Sequence, residues 1–506
     1  MTKRILAIIM LFALLLSGCA KHPVETTTAV PSTPATQTVC DHQDGNDDGS
    51  CDTCATSLLV VLDFYSINDL HGKLADGDSH IGVDELTTFL KKKQQEENAI
   101  LLSAGDMWQG SAESNLTHGL ILTDWMNELD FSAMTLGNHE YDWGEDAIEA
   151  NAAAAEFPFL AINIYDRATD QRVEYCDASV MVNIGGVQIG IIGAMGDCYS
   201  SIASDKVADV YFKTGNVLTA LVKAESERLR GDGADFIVYV LHDGGSGLSG
   251  STVTASRLSS YYDISLSDGY VDLVFEGHSH QRYLVQDEYG VYHLQHKGDN
   301  TGGISHAEIS INSVTGTYTV TATDLIATST YGSLDDDPIV EQLLRKYEGQ
   351  ISPADRVVGY NAAYRSSDYL CDLVAQLYYE LGRQVWGDEY LITLGGGFIS
   401  ARSPYDLQKG DVTYGQLQSI FPFDNDIVLC SVKGSDLLNK FINTSNSRYH
   451  IFGDWGQIDR NATYYIVVDT YTATYAPNRL TIVAEYTPGV YARDLLADFM
   501  EVGGME

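Results

Sequence analysis

Five short runs in the first two-thirds of the chain gather the residue types that hold divalent cations. They are Asn68-Asp69-Leu70-His71-Gly72, Gly105-Asp106-Met107-Trp108-Gln109-Gly110, Gly137-Asn138-His139-Glu140-Tyr141-Asp142, Leu241-His242-Asp243-Gly244 and Gly277-His278-Ser279-His280. Each sets an Asp, Asn or His beside a glycine that lets the backbone turn tightly. Singly they are weak signals, because Asp-x-His arises by chance and a histidine after a strand is more often structural than a ligand. In this order, each behind a strand-like run, they describe a pair of cations joined by a carboxylate. Two cations about 3.5–4 Å apart lower the pKa of a shared water and clamp phosphoryl oxygens. The chemistry indicated is metal-assisted hydrolysis of a phosphate ester.

The elements that must position these runs are legible in the apolar pattern. Leu58 to Tyr65, Ala99 to Ser103, Phe131 to Leu136, Phe236 to Leu241 and Val271 to Phe275 are short apolar runs rich in β-branched and aromatic residues. They predict five strands, each ending just before one of the five runs. Val83 to Gln95, Leu120 to Leu129, Glu145 to Glu156 and Gly215 to Arg230 predict helices between them. Alternating strands and helices give an α/β layered domain, in which ligands sit beyond the carboxyl ends of the strands. Tyr292 to Gln295 and His306 to Ile311 add strands, and Asp337 to Gly349 predicts a connecting helix with Pro338 in its first turn. A second domain is expected over residues 355–506, with a helix at Asp368 to Arg383, a glycine-rich loop at Gly395-Gly396-Gly397, mixed strands, and a last helix near Tyr491 to Glu501. No internal repeat is evident.

The N-terminus reads as an address. Lys3 and Arg4 precede an apolar run from Ile5 to Leu16, which is short for a membrane span and suits a signal peptide. Leu16-Ser17-Gly18-Cys19 resembles the bacterial lipoprotein processing box, which implies cleavage before Cys19 and a lipid on its thiol. The expected organisation is a signal peptide over 1–18, a tether with a Cys/Asp-rich insert over 19–56, a catalytic domain over 57–335, a linker helix over 336–354, and a substrate-binding domain over 355–506.

With 30 basic against 70 acidic residues the net charge is −40. Such a surface repels nucleic acid polymers and anionic membranes. An anionic substrate must therefore be drawn in by bound cations or a few arginines. Eight cysteines are present, and an exported chain permits disulfides. Cys176–Cys198 is the most local candidate pair, and buried free thiols are the alternative. The insert Cys40-Asp41-His42-Gln43-Asp44-Gly45-Asn46-Asp47-Asp48-Gly49-Ser50-Cys51-Asp52-Thr53-Cys54 has three readings. Cys40, His42, Cys51 and Cys54 could ligate zinc. Asp44, Asn46 and Asp48 begin like a calcium loop, although its twelfth position is Ala55 rather than Glu. A disulfide-knotted acidic linker is the third.

Together the five runs resemble the 5′-nucleotidase family of calcineurin-like metallophosphoesterases, over about residues 57–490. The resemblance implies a four-layer α/β/β/α catalytic domain followed by a smaller α/β domain that binds the substrate. It implies that Asp69, His71 and His280 bind one metal, that Asn138, His242 and His278 bind the other, and that Asp106 bridges them. His139 and Asp142 are expected to form a dyad in which Asp142 orients His139 and His139 stabilises the transition state. In the second domain Gly395-Gly396-Gly397-Phe398, Phe421-Pro422-Phe423-Asp424-Asn425 and Asp469-Thr470-Tyr471 resemble family motifs. Phe423 and Tyr471 would sandwich the base, with Gly396, Gly397 and Asn425 nearby. Leu394 and Ile399 stand where relatives carry Asn and Arg. Arg402 could replace that Arg, and Arg365 could be a second clamp. The family's closing Gly-Gly-Asp-Gly-Tyr is absent, with Tyr475-Ala476-Pro477-Asn478-Arg479 in its place. In the catalytic domain, Asp243 adds charge beside His242.

The expectation is an extracytoplasmic, lipid-anchored phosphohydrolase acting on a nucleotide or another small phosphoester. Its two divalent ions are Zn, Mn or Fe. A nucleoside 5′-monophosphate is the favoured substrate. A 2′,3′-cyclic nucleotide with 3′-nucleotidase activity, or a nucleotide sugar, is the rival, because the altered pocket has lost partners that carry selectivity. A non-catalytic surface binding protein is the rival of another class. The membrane is reached through the lipid on Cys19, and no protein partner is expected.

Overall fold

The computed structural model describes residues 40–505 apart from 77–81, 246–261, 299–302, 403, 454–455 and 475–479. The signal peptide, Cys19, the tether over 20–39 and the Tyr475–Arg479 stretch lie outside the described residues. Among those described, no helix is long and apolar enough to cross a membrane.

Two six-stranded sheets form the centre of the first domain. The first runs in the order Tyr318–Ile326, Ile304–Asn312, Leu59–Ile67, Ala99–Ser103, Ala133–Thr135, Phe159–Leu160. Its last four strands are parallel. The second runs Tyr283–Gln286, Tyr292–Gln295, Leu273–Glu276, Phe236–His242, Val187–Met195, Ser179–Ile184, with its middle four strands parallel.

Period-two alternation explains why the sheets stack. Leu62, Phe64, Ile100, Leu102, Phe236, Val238 and Val240 turn to a shared core between the sheets. Their neighbours Tyr65, Ile67 and Leu101 turn outward to helices Asp84–Glu96, Leu120–Asn127 and Glu145–Ala154. On the other side Ile237, Tyr239 and Leu241 meet helix Asn216–Gly231 through Leu218, Val222 and Leu229. The result is helix, sheet, sheet, helix. Each fully buried large apolar side chain contributes about 1.5–3 kcal/mol to holding the layers together.

The helix Pro338–Ile351 opens with Asp337, whose side chain accepts from the Ile339 amide. This is an N-cap with proline at the first helical position. Lys91 pairs with Asp337, and Lys346 and Tyr347 both bond Asp124, so the helix is anchored on the first domain.

Beyond it a five-stranded sheet runs Tyr449–Gly453, Ile392–Phe398, Thr463–Asp469, Ile427–Lys433, Thr481–Glu485. Helix Ser367–Trp386 packs on it through Leu370, Val374 and Tyr378. Here one expectation is corrected. Gly395, Gly396 and Gly397 form no loop but lie inside strand Ile392–Phe398. A side chain at Gly395 would overlap the Tyr379 backbone in the covering helix, and one at Gly396 would overlap the His450 carbonyl. The glycines are there for close backbone approach.

Of the two readings offered for the cysteines, the structure holds the free thiols. Cys176 and Cys198 are free and buried. The Cys176 thiol faces the Ala161 carbonyl and the Cys198 thiol faces the His242 carbonyl.

Candidate active site

All five runs follow parallel strands, so they emerge on one edge of the paired sheets. The structure brings the side chains of Asp69, His71, Asp106, Asn138, His242, His278 and His280 together there. His71 Nε2 lies 3.1 Å from His280 Nε2, and His280 Nε2 lies 3.4 Å from Asp69 Oδ1. Asn138 Oδ1 lies 2.9 Å from His278 Nδ1 and 3.3 Å from His242 Nε2. His242 Nε2 is also 3.3 Å from Asp106 Oδ2. Donor atoms of Asp69, Asp106 and His242 all fall within 4.8 Å of one another, so the two groups adjoin.

Ring orientation fits cations. His71 Nδ1 donates to the Gln109 carbonyl at 2.9 Å, and His242 Nδ1 donates to the Ala104 carbonyl at 2.6 Å. A neutral imidazole that donates through one nitrogen offers a lone pair on the other. His71 Nε2, and His242 Nε2 once a cation displaces its proton, therefore point lone pairs into the cluster of carboxylate and amide oxygens. A divalent cation is what such a donor set accommodates.

The backbone is strained to hold this arrangement. Asp69, His71, Asp106, His278 and His280 have φ of 52, 51, 56, 68 and 51°. Non-glycine residues seldom occupy this left-handed region, and such strain collects at functional sites.

Burial and charge oppose one another across the cluster. Burial pushes His71 well below its ordinary value, and His280 beside it adds to the effect. Burial, helped by His242, brings His278 down to about 4. Burial also resists charging His242, but Asp106 outweighs it and lifts the imidazole to about 10. Burial raises Asp106, yet the imidazoles of His242 and His139 hold it well below the carboxylate range.

His139 and Asp142 stand beside this cluster. His139 Nδ1 is 2.8 Å from Asp142 Oδ2. Burial disfavours the imidazolium, but Asp142 and then Asp106 more than offset it, and the pKa is raised. The other nitrogen, Nε2, accepts from Arg402 Nη2 at 3.2 Å.

Between the domains lies a cleft of about 450 Å³. Asp106, Asn138, His139, Asp142, His278 and His280 line one side, and Arg402, Phe423, Asn425 and Tyr471 line the other. Phe423 stacks on His139 with ring centroids 5.9 Å apart, and the Arg402 guanidinium sits 5.3 Å from the Phe423 centroid. Tyr471 packs near Phe398, with centroids 5.5 Å apart.

Three expected substrate contacts are not among the lining residues. Arg365 lies over the Tyr369 ring, 4.5 Å away, and its backbone pairs with Leu407. Gly396 and Gly397 are packed against backbone and against Thr472. Leu394 is a buried core residue and Ile399, though buried, reaches the cleft wall, so the places of the family's Asn and Arg are apolar here.

Four further residues take part to which the motifs assign no role. Glu140 is fully buried and accepts from the amides of Asp106, Met107 and Gly137 at 2.9, 2.8 and 2.6 Å. Burial, with Asp106 adding to it, lifts its carboxyl to about 7. One carboxylate thus ties the second run to the third. Glu140 stood within a quoted motif, but a side chain that accepts from backbone 34 residues away leaves no spacing signal. Arg448 and Lys206 line the cleft with Arg402 and bring cations to a strongly acidic chain. Asp469, also in the cleft, is raised to about 6 by burial. Asp243, expected to add charge near the metals, is buried with Oδ2 accepting from the Asp197 amide at 3.3 Å.

Comparison with known proteins agrees with this geometry. Residues 63–282 match the calcineurin-like phosphoesterase family, and residues 362–454 match the 5′-nucleotidase C-terminal domain. An endonuclease of Bacillus subtilis (strain 168) is 24% identical over 82% of this chain, which spans only 37% of that protein. A 2′,3′-cyclic-nucleotide 2′-phosphodiesterase/3′-nucleotidase of Salmonella typhimurium is 28% identical over 46% of the chain and 38% of its own length. The crystal structure of a 5′-nucleotidase precursor from Thermus thermophilus superposes with a TM-score of 0.65 at 18% identity, covering 87% of this chain and 96% of that one.

Proposed function

This chain belongs to the calcineurin-like phosphoesterases that carry a 5′-nucleotidase C-terminal domain, and from that premise we propose that it hydrolyses nucleoside 5′-monophosphates outside the cytoplasm. The observation that carries the reading is the meeting of two features in one cleft. A seven-residue donor cluster faces a stacking aromatic and an arginine from the other domain.

Asp69, His71 and His280 would hold one cation, Asn138, His242 and His278 the other, with Asp106 between them. Bound there, two divalent ions supply an acidified water and neutralise phosphoryl charge. The chain's own groups do the rest. Asp142 fixes the His139 ring through Nδ1, so that Nε2 points into the cleft. When Nε2 carries a proton it releases Arg402 and donates to charge developing on the phosphoryl group. Arg402 adds a second donor at the same place. Phe423 and Tyr471 supply the aromatic faces that a base requires.

Zn, Mn and Fe all suit mixed imidazole and carboxylate ligation. The lipid on Cys19 would hold the enzyme at the membrane surface.

A panel of AMP, 3′-AMP, 2′,3′-cyclic AMP and UDP-glucose, assayed with added Mn²⁺, tests the substrate. Highest kcat/KM on AMP supports the proposal. Preference for the cyclic ester or 3′-AMP moves the assignment to the phosphodiesterase reading. No turnover of any ester leaves a binding protein.

A further inference from the structure

We propose that Cys40, His42, Cys51 and Cys54 form a structural zinc site that fastens the head of the chain to the catalytic domain. Their donor atoms all lie within 4.8 Å of one another. The Cys40 and Cys51 sulfurs are 3.4 Å apart, and the Cys54 sulfur is 3.5 Å from His42 Nδ1. Zinc at about 2.3 Å from sulfur and about 2.0–2.1 Å from nitrogen spans tetrahedral edges of that order. Three thiolates and one imidazole complete a closed tetrahedral shell, the pattern of a structural site. The soft sulfur donors select zinc over the harder calcium or magnesium.

The backbone turn brings the sulfurs together. The Ala55 amide closes the turn onto the Cys51 carbonyl at 2.8 Å, with Ala55 itself at φ 56°. This turn lets Cys51 and Cys54 point the same way.

The acidic residues of the insert are engaged differently. The Asp44 carboxylate accepts from the Asp48 and Gly49 amides and from Asn312 Nδ2. Asp47 Oδ1 accepts from the Thr315 and Thr317 hydroxyls at 2.9 and 2.7 Å. Asn312, Thr315 and Thr317 belong to the turn joining strands Ile304–Asn312 and Tyr318–Ile326. The aspartates therefore dock the insert on the domain, and the thiol cluster closes it into one unit.

The test uses the exported full-length chain. Wild type and a C51S/C54S double variant are compared for zinc content, thiol alkylation and phosphohydrolase activity. Both proteins keep the catalytic cluster, so only the difference in zinc is read. The expected result is one zinc equivalent fewer per chain in the variant, with activity retained. In wild type, Cys40, Cys51 and Cys54 resist alkylation until a chelator is added without reductant. Equal zinc content, or protection released by reductant alone, overturns the proposal, the latter in favour of a disulfide. Should the variant fail to fold, cobalt-substituted wild type decides the question. A sulfur-to-cobalt charge-transfer absorption that persists in Cys198→Ser supports the site, and its absence removes it, because the Cys198 sulfur adjoins His242 and His278.

Discussion

Arg402 of the second domain donates from Nη2 to His139 Nε2 of the first, at 3.2 Å. The same imidazole is held through Nδ1 by Asp142 at 2.8 Å. One histidine is thus gripped by a carboxylate from its own domain and faced by a guanidinium from the other. A phosphoryl oxygen entering the cleft would meet both groups.

Replacing His139 by Ala is expected to lower kcat by about 10²- to 10⁴-fold, the usual weight of a positioned acid or base. Metal content should stay unchanged, because His139 is outside the proposed ligand set. Steady-state kinetics alongside elemental analysis checks both. Loss of metal together with activity would make His139 a ligand instead. Asp142→Asn should cost less, since the ring remains in place.

For Arg402, alanine should reduce kcat/KM by about 10- to 100-fold, as a charge-assisted donor to phosphate is lost. Lysine should recover only part of this, because it lacks the planar fork. An unchanged kcat/KM in R402A would show that Arg448 or Lys206 does the work.

Glu140→Ala should weaken metal retention without touching a ligand. It leaves three buried amides without an acceptor, each costing about 1–3 kcal/mol. Thermal unfolding and metal content after dialysis should both fall. Glu140→Gln keeps one acceptor oxygen and should sit between the two.

Gly395→Ala should destabilise the second domain by about 1–3 kcal/mol or more, as overpacking against the backbone of helix Ser367–Trp386 forces that helix off the sheet. The donor cluster lies in the other domain and should keep any metal bound there. Denaturant unfolding followed by two probes, one per domain, would separate the responses.

Cys19→Ala should abolish lipid labelling and release the protein from the membrane fraction while leaving specific activity intact. Fractionation after metabolic labelling with a fatty acid checks this. Retention of the variant in the membrane would point to an uncleaved anchor.

The five strands that lead into the donor runs are readable because apolar runs such as Ala99–Ser103 are bounded by glycine on one side and polar residues on the other, whereas Val187–Met195 and Ser179–Ile184 in the second sheet are not foreseen. The donor cluster was readable because each member follows a strand end, where parallel topology makes separate loops meet. What escapes leaves no local pattern. Glu140 acts on backbone amides, and amides carry no sequence signature. Gly395–Gly397 looked like a loop because composition alone cannot distinguish a turn from close packing of a strand under a helix. Arg402 was found only through the missing arginine at Ile399, and Arg448 had no motif around it. Stacking partners depend on how two domains meet, which explains why Phe423 lies against His139.

Three glycines beneath a helix leave that stretch of the second domain with no side chains to vary. Adaptation to a new ligand must then come from the rims: residues 398–402, 423–425 and the short helix bearing Tyr471. These segments are separate in the chain and rest on a common rigid floor. An engineer could exchange them one at a time without rebuilding the half that carries the donor cluster.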